Sequence, residues 1–360
     1  MALSRFLGET EFQGEFREWG RAFEHWLAGK AANTRRAYVR AWEDLLGFTG
    51  KGPAELRSGD LQAWADDLGG RALDASVLKG LQVKGRRPAN DGNGLSAATM
   101  AQWISAVSSF YRYVSAEYLV AAPGGGEEPL HPYNPAAALR RPDVASYARA
   151  DFLDSRALVR LLEAIPRRTV AGRRDYALFL GYILTGRRNG EWRELRWGDL
   201  RARGNRVYYA WHGKNREHAR NELPPPVWEA LRGYLEAAGR LEGMEGGDYV
   251  FTPLSDRAAR LPNVEAAGWD RNRPLSAGTV NRLLKTHARR AGLDARRVHV
   301  HVLRHSAAML EEELGTGLAQ ISRFLGHADP KTTMRYLEHL RGEPDGTWRQ
   351  KAALLGLGDG

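Results

Sequence analysis

A tract rich in glycine and proline interrupts the chain and limits its possible folds more than any other feature. It reads AAPGGGEEPLHPYNP over residues 121–135, between two long stretches whose apolar residues recur at helical spacing. Both residue types break helices, so one continuous bundle cannot run through this tract. The 360 residues suffice for two domains that each bury a core. We therefore predict domains at 1–140 and 153–360, joined by a linker at 141–152.

The stretch before this tract has the periodicity of helices. Apolar residues recur through FQGEFREWGRAFEHWLAG at residues 12–29, and Asn33-Thr34 offers an N-cap for a second helix. A third helix is predicted at Ser58–Leu68, and Ser96 is predicted to cap a fourth. Residues 69–94 contain GG, KGRRP and NDGNG, which indicate an irregular insertion or mobile loop. The first domain is thus predicted to be a small helical bundle.

The stretch after the tract is also mainly helical, with one strand-like segment. RVYYAWHGKNREHARNELP at residues 206–224 predicts a hairpin that turns at GKN, and Tyr249–Phe251 suggests a short edge strand. Residues 253–274 are predicted to form a long polar loop. The predicted helices are Ser155–Ile165, Arg173–Leu184, a turn or short helix at Glu191–Leu195, Pro225–Ala238, Ser276–Ala291, His301–Leu314, Leu318–Leu325, Pro330–Leu340 and a weak one near Trp348–Leu355. The fold class is therefore mainly α, with a small β-hairpin or sheet in the second domain.

The charge balance indicates a polyanionic partner. The chain has 53 Lys and Arg against 43 Asp and Glu, a net charge of +10. It has no apolar run of membrane-spanning length and no signal-peptide pattern, so nucleic acid is the favoured partner. Only eight of the basic residues are lysine, and GC-rich coding remains an alternative source of the arginine. The absence of cysteine excludes disulfides, zinc–thiolate sites, iron–sulfur clusters and thiol catalysis, and a cytoplasmic location is expected.

Three short segments carry residues suited to phosphate chemistry. LTGRRNGEWRELRWGDL places Arg188 after a Thr-Gly turn, three residues before Glu191. HVLRH places His301 and Arg304 on one helical face. LGHADPKTTMRYLEH places His327 at an elbow between helices, nine residues before Tyr336. Each segment alone also fits a bland interpretation, respectively a surface ion pair, a solvated helix start and a core tyrosine.

Taken together, the three segments resemble the tyrosine recombinase family, which includes phage integrases and Xer-type recombinases. Thr185-Gly186-x-Arg188-x-x-Glu191, His301-x-x-Arg304-His305 and Leu325-Gly326-His327 through Tyr336-x-x-His339 stand in family order and at family spacing. The resemblance covers essentially the whole chain. It implies a helical, SAM-like core-binding domain that binds DNA at 1–140, with Asn134-Pro135 near its end. Residues 153–360 would form the catalytic domain.

The resemblance also implies a role for each catalytic side chain. Tyr336 would attack the scissile phosphate, form a 3′-phosphotyrosyl bond to DNA and free a 5′-hydroxyl. Arg188 and Arg304 would hold the non-bridging oxygens, His327 would hydrogen-bond one of them, and His301 would assist proton transfer from the tyrosine. Two guanidinium groups supply rigid donor forks for phosphate, and clustered cations favour the phenolate form of tyrosine. The bond energy is conserved in the covalent intermediate, so no ATP, metal or other cofactor is expected.

The resemblance assigns the general acid to the predicted hairpin. Family hairpins usually read close to GKGxKxR with a proline soon after, whereas here Gly213-Lys214 leads into NREHAR and Pro224 follows later. Lys214 is the only lysine between Lys84 and Lys285, so it is the candidate for protonating the leaving 5′-oxygen. Glu191 and His305 are expected to support the catalytic groups from behind.

Double-stranded DNA is the expected partner of both domains, which would clamp the duplex from opposite faces. Family members recombine as tetramers on DNA, and a C-terminal segment often docks on a neighbouring subunit. Trp348, Leu354 and Leu355 are the apolar candidates for that docking here, with a frayed tail as the alternative. Basic residues with an aromatic suit contact with phosphates. The expected DNA contacts are Arg35, Arg36, Tyr38, Arg40, Lys84, Arg86 and Arg87.

Three alternatives remain open at this point. The chain could be a non-catalytic DNA-binding or architectural protein on the same fold, or an enzyme that relaxes DNA as type IB topoisomerases do. A metalloenzyme built on His299, His301 and His305 is the third, although no carboxylate stands at ligand spacing before Glu311. The favoured hypothesis is that the chain is a site-specific recombinase in the cytoplasm, associated with the nucleoid when bound to DNA.

Overall fold

The computed structural model describes residues 15–70, 95–142, 151–212, 218–264, 270–326 and 333–334. The chain divides into two compact units, Met1–Ser146 and Tyr147–Gly360, and each is described by itself. The division falls inside the predicted linker, of which residues 143–150 lie outside the described residues. So do residues 71–94, which contain nearly all of the predicted insertion, whereas Gly69 and Gly70 end a helix.

The N-terminal unit contains the helices expected from its periodicity. They are α1 (Glu15–Ala28), α2 (Ala32–Thr49), α3 (Ser58–Gly70) and α4 (Ala97–Ala116). Ser96 caps α4 as predicted, since its side chain accepts a hydrogen bond from the Thr99 amide. The predicted N-cap of α2 is wrong. That helix starts earlier, after Ala31, and the Asn33 side chain accepts from the Arg36 guanidinium instead of from the backbone.

Aromatic side chains fill the core of the N-terminal unit. Trp42 and Phe110 pack edge to face with ring centroids 5.1 Å apart, and Phe23 packs on both of them. Such aromatic pairs add about 0.5–1.5 kcal/mol each beyond the area they bury. The buried Tyr111 hydroxyl donates to the Pro53 carbonyl at 2.8 Å, which satisfies the polar end of that ring inside the core.

A small antiparallel hairpin closes the N-terminal unit and was not predicted. Its strands are β1 (Leu119–Ala121) and β2 (Glu127–Pro129), with Val120 opposite Glu128. The turn uses Gly125 and Gly126, which both have φ of +90°, a conformation that side chains strongly disfavour. The glycines that break the helical pattern therefore also build a turn. The strands lacked the alternation of a buried sheet because they are mostly exposed.

The C-terminal unit is a helical assembly with one three-stranded sheet. Antiparallel β3, β4 and β5 are ordered β3-β4-β5, with Leu200 opposite Tyr209 and Trp211 opposite Ala219. The elements are α5 (Ser155–Glu163), α6 (Val170–Thr185), α7 (Asn189–Arg193), β3 (Leu200–Arg203), β4 (Arg206–His212), β5 (His218–Glu222), α8 (Pro225–Ala237), α9 (Asp256–Arg260), α10 (Ala277–Arg290), α11 (Val300–Glu313) and α12 (Leu318–Leu325), with short 3-10 turns at Trp197–Asp199 and Leu241–Gly243. The predicted fold class is confirmed.

Several local predictions for this unit need correction. The predicted hairpin gains a third strand, β3, which has only four residues (LRAR), three of them exposed. Tyr249–Phe251 is not a strand, because only one bridge forms, between Arg196 and Tyr249. The polar loop at 253–274 contains α9, which begins where the Ser255 hydroxyl accepts from the Ala258 amide. Short polar elements of this kind carry almost no periodic signal.

Helix α6 lies at the centre of the C-terminal unit and receives α7 directly on its backbone. A Cβ atom at Gly181 would lie 2.1 Å from the Trp192 ring, so only glycine admits this contact. The Trp192 indole donates to the Leu178 carbonyl at 3.0 Å, which fixes the ring on the helix. This contact sets the distance between α6 and the turn that carries Arg188. Within the described part of the chain, no helix is long and apolar enough to cross a membrane.

Candidate active site

The turn that carries Arg188, here called the arginine turn (residues 186–188), begins where α6 ends. Gly186 ends the helix in the left-handed conformation, with φ of +62°. Arg188 then stands at the N-cap of α7, where its amide donates to Glu191 Oε2 at 2.9 Å and its Nη1 to Oε1 at 2.7 Å. The Arg188 side chain is 37% exposed and that of Glu191 only 7%. A buried carboxylate therefore orients a guanidinium that an anion in solution can still reach.

Arg304 lies on α11 and is buried. Its Nη1 donates to the Gly186 carbonyl at 2.7 Å, and its Nη2 donates to the Leu325 carbonyl at 2.7 Å. Arg188 Nη2 lies 3.5 Å from the next carbonyl, that of Gly326. The two guanidinium groups therefore converge on the end of α12, although their positions are 116 residues apart in the sequence.

His301 lies one turn before Arg304 and is neutral at pH 7. Its side chain is exposed, yet nearby protein atoms remove part of its hydration. This desolvation, followed by the positive charge of Arg304, lowers the pKa of His301 to about 4. Arg188 lowers the same pKa from α7, which independently indicates that the cations converge here. A neutral imidazole can accept a proton.

His305 lies behind His301 on the same helix. Its ring is buried and meets the His301 ring edge to face, with centroids 4.5 Å apart. Desolvation by burial and the nearby His301 lower the pKa of His305 to about 3, against an opposing effect of Asp151. The side chain therefore contacts His301 from the protein interior, and its supporting role stays a prediction.

The three histidines of the metalloenzyme alternative all lie at the start of α11. His299 is the residue before the helix, and His301 and His305 are one turn apart on it. Within the described ranges, no group of three or more His, Asp or Glu side chains is arranged to hold a metal ion.

The remaining predicted catalytic residues lie outside the described residues. They are Lys214, His327 and Tyr336, and their roles stay predictions. The described elements nevertheless bracket two of them in the sequence. Strands β4 and β5 flank residues 213–217, and Gly326 directly precedes His327.

The predicted DNA contacts of the N-terminal unit are described only on α2. Arg35, Arg36 and Arg40 are exposed there. Tyr38 is half-buried and stacks on Trp26, with centroids 5.1 Å apart. Its ring thus contributes to the edge of the core, and only part of it remains available to a ligand. The other expected contacts, Lys84, Arg86 and Arg87, lie outside the described residues.

Sequence reasoning missed a buried contact beside the arginine turn. Arg187 is 1% exposed, and its guanidinium lies over the Trp211 ring, 4.2 Å from the centroid. Its Nε donates to the Thr185 carbonyl at 3.0 Å. Arginine at the variable position of the TG-x-R segment was the available signal, but an arginine is ordinarily expected at the surface.

Comparisons with known proteins indicate the same family that the three sequence segments resemble. The model of the phage integrase family matches residues 151–343. The tyrosine recombinase XerD of Caulobacter vibrioides is 29% identical over 346 residues, covering 92% of this chain and 94% of that protein.

Solved structures share the fold at low sequence identity. The XerH site-specific recombinase, crystallised after cleavage on its palindromic difH substrate, matches with a TM-score of 0.60 and 15% identity. That match covers 99% of this chain and 95% of the XerH chain. A lambda integrase tetramer bound to a Holliday junction matches with a TM-score of 0.57 and 16% identity, over 96% of this chain and 83% of that one.

Proposed function

Because this chain belongs to the phage integrase family and is a tyrosine site-specific recombinase, we propose that it cleaves DNA through Tyr336. The phenolic oxygen bonds to phosphorus as the bond from phosphorus to the 5′-oxygen breaks. The phenol gives up one proton and the 5′-oxygen gains one. The 5′-hydroxyl of a partner strand then reverses the step and releases the tyrosine. The number of ester bonds to phosphorus is unchanged, so the reaction needs no ATP.

The observation that carries this proposal is the convergence of two guanidinium groups. Arg188 and Arg304 donate to carbonyls that are adjacent in the chain, at the end of α12. Hydrogen bonds to Glu191 and to the backbone fix their orientation before substrate arrives. Preorganised donors of this kind stabilise the charge that develops on a phosphoryl group in the transition state. They supply the positive charge that metal ions supply in other phosphoryl-transfer enzymes, so no cofactor is proposed.

Proton transfer needs an acceptor and a donor. His301 is neutral at pH 7 because desolvation and neighbouring cations lower its pKa, so it can assist removal of the tyrosine proton. We assign the donor role to Lys214, whose ammonium would protonate the leaving 5′-oxygen. His327 would hydrogen-bond a phosphate oxygen, since it follows the Gly326 carbonyl to which Arg188 is directed.

Double-stranded DNA is the proposed substrate, held by both units. The exposed arginines of α2 suit contact with phosphates, and Lys84, Arg86 and Arg87 would add to them. Recombination exchanges strands between two duplexes, so we propose a tetramer on DNA, with the C-terminal segment near Trp348 docking on a neighbour. XerH bound to its difH substrate supports the binding of DNA, and the lambda integrase tetramer on a Holliday junction supports the tetramer. The enzyme would act in the cytoplasm, on the nucleoid.

A nicked suicide substrate tests this function. When the short strand beyond the cleavage site diffuses away, the covalent adduct accumulates and runs as a shifted band on a denaturing gel. We expect the wild-type protein to form the adduct on its own recombination site in the presence of a chelator, and Tyr336→Phe to form none. An architectural protein would form no adduct. A topoisomerase would relax plasmids without site preference.

A further inference from the structure

Arg187 is an unusual residue to find inside a protein. It is buried next to Arg188, and its Nη1 and Nη2 atoms have no hydrogen-bond partner among the described residues. Desolvation by burial lowers the pKa of Arg187, against the opposing effects of Tyr209 and Glu191, and the charge of Arg188 adds a smaller lowering effect. An apolar side chain would fill this space without the cost of burying a cation that has one hydrogen bond, from Nε to the Thr185 carbonyl, among the described residues. Packing alone therefore does not account for arginine here.

The guanidinium group of Arg187 lies over the Trp211 ring. The guanidinium carbon lies 4.2 Å from the ring centroid, which is the geometry of a cation–π interaction. Such an interaction gains strength when both groups are shielded from water, and Trp211 is only 7% exposed. The indole also donates to Asn221 Oδ1 at 2.8 Å, so the ring is fixed across β4 and β5.

The same ring meets the end of α12. Gly326 has φ of +64°, and a Cβ atom there would lie 2.3 Å from Trp211 Cη2. The backbone of Gly326 therefore lies against the indole. Trp211 thus contacts the arginine turn through Arg187 and the end of α12 through Gly326.

Each of these contacts adjoins a proposed catalytic residue in the sequence. Arg187 precedes Arg188, and Trp211 stands three residues before Lys214. The strand β4 is therefore connected to the arginine turn by the contact of Arg187 with Trp211, beside the contact of Trp192 with Tyr209. The proposed general acid follows Trp211 by three residues in the sequence. Displacement of a catalytic group by about 1 Å can slow a reaction by about a hundredfold.

We propose that Arg187 and Trp211 form a positioning pair that aligns the β4–β5 hairpin, and with it Lys214, against the arginine turn. Neither residue touches the reacting atoms. The pair acts on the step in which the leaving 5′-oxygen takes up a proton. This inference rests on the proposed function, because it assumes the general-acid role of Lys214.

The test compares two leaving groups. One suicide substrate has the natural 5′-oxygen at the scissile phosphate, and the other has sulfur in its place. A thiol has a pKa near 8.5, far below that of an alcohol, so a sulfur leaving group departs as thiolate without a general acid. Single-turnover cleavage by Arg187→Met, Lys214→Ala and the wild type is measured on both substrates. Arg167→Met is the matched control, since that exposed arginine lies 4.6 Å from the Tyr176 ring in the same unit.

We expect Lys214→Ala to slow cleavage at oxygen by about 10²- to 10⁴-fold. We expect Arg187→Met to slow it by about 10- to 100-fold. On the sulfur substrate both variants should approach the wild-type rate. Arg187→Lys, which keeps a cation near the ring, should fall between Arg187→Met and the wild type. The midpoint of thermal unfolding should change little in Arg187→Met, because removal of a buried charge offsets the lost contacts with Trp211 and the Thr185 carbonyl.

Two results would overturn the inference. In one, Lys214→Ala is rescued by sulfur but Arg187→Met is equally slow on both substrates. In the other, Arg187→Met cleaves the oxygen substrate at the wild-type rate. If Lys214→Ala itself is not rescued, the proposed role of Lys214 fails, and that outcome is distinct from failure of the positioning pair. Lowered thermal stability with parallel losses on both substrates would indicate a merely structural arginine.

Discussion

The two units bury different kinds of side chain. Among the described residues, the N-terminal unit buries a cluster of aromatic and aliphatic groups, and His131 is its one buried polar side chain. The C-terminal unit has an apolar core too, but charged groups enter its interior. Its buried ionisable residues include Arg174, Asp175, Arg187, Arg240, His287, Arg304 and His305.

This difference separates a unit held by apolar burial from one that holds charges in place. Buried charges weaken a fold unless hydrogen bonds and counter-ions satisfy them. Some of these charges are paired with each other. Asp175 Oδ1 accepts from the Arg174 guanidinium, and Asp175 Oδ2 lies 3.0 Å from His287 Nε2. Phosphoryl transfer requires cations held in a fixed orientation. The carboxylate and carbonyl groups that hold those cations are buried in this unit. The comparison therefore predicts that mutations in the two units will differ in what they damage.

The largest effect is expected from truncating a core phenylalanine in each unit. Phe110 and Phe179 are 1% and 0% exposed, so either change to alanine should cost about 3–5 kcal/mol. Hydrogen exchange measured peptide by peptide should show that Phe110→Ala loosens the N-terminal unit and Phe179→Ala the C-terminal one. Equal loss of protection in both units after either change would contradict their independence.

The next effect separates two buried arginines of the C-terminal unit. Arg304→Gln should reduce adduct formation by about 10²- to 10³-fold, or about 3–4 kcal/mol, through loss of transition-state charge stabilisation. Arg240 donates to the Tyr249 and Val250 carbonyls, away from the arginine turn, and serves as the control. Arg240→Gln should lower thermal stability but leave the single-turnover rate of the folded enzyme unchanged. The distinction fails if both variants lose the same rate.

A smaller effect should follow pH. Burial lowers the pKa of His305 to about 3, from 6.5 in the unfolded chain, so the folded state resists protonation. Stability from this group is complete above pH 6.5 and declines as pH falls toward 3, by about 2 kcal/mol at pH 5. His305→Asn should flatten the pH dependence of unfolding of the C-terminal unit.

The matching change in the other unit is His131→Asn, since burial lowers the pKa of His131 too. It should flatten only the pH dependence of the N-terminal unit. If the free energy of unfolding of the C-terminal unit depends on pH just as steeply after His305→Asn, groups other than His305 bind the protons.

The smallest effect comes from two helix caps that are nearly identical. Ser96 accepts from the Thr99 amide at 3.2 Å in the first unit, and Ser276 accepts from the Thr279 amide at 3.0 Å in the second. Each serine-to-alanine change should cost about 1 kcal/mol. Chemical denaturation followed by hydrogen exchange checks this value. A cap worth much more in one unit would mean that local stability differs between them for reasons beyond core composition.

The fold could be predicted where local signals agree with burial. Helix α12 has the predicted bounds, Leu318–Leu325, because apolar periodicity and a terminal Gly326 coincide there. Strand β3 was missed since it has only four residues, three of which are exposed, and so short a pattern does not specify a strand. The N-cap of α2 was misplaced because an asparagine near a helix start usually caps it, whereas here the helix already begins at Ala32.

The site was partly readable from the sequence for a similar reason. The Arg188–Glu191 pair and the helical spacing of His301 and Arg304 are local, so spacing alone predicts them. The contact between Arg187 and Trp211 joins positions 24 residues apart through a strand whose packing no local pattern specifies. Whether a charged side chain is buried depends on the residues that surround it in the fold, and a single sequence does not show which residues those are.

The contact between Gly181 and Trp192 has a consequence for how this enzyme can vary. Trp192 stands next to Glu191, the carboxylate that holds Arg188. A methyl group at Gly181 would overlap the indole and displace α7, with the turn before it, from α6. Glycine at this position lets the indole lie directly on the backbone of α6. In a saturation library selected for recombination, we expect this helix position to tolerate no other residue.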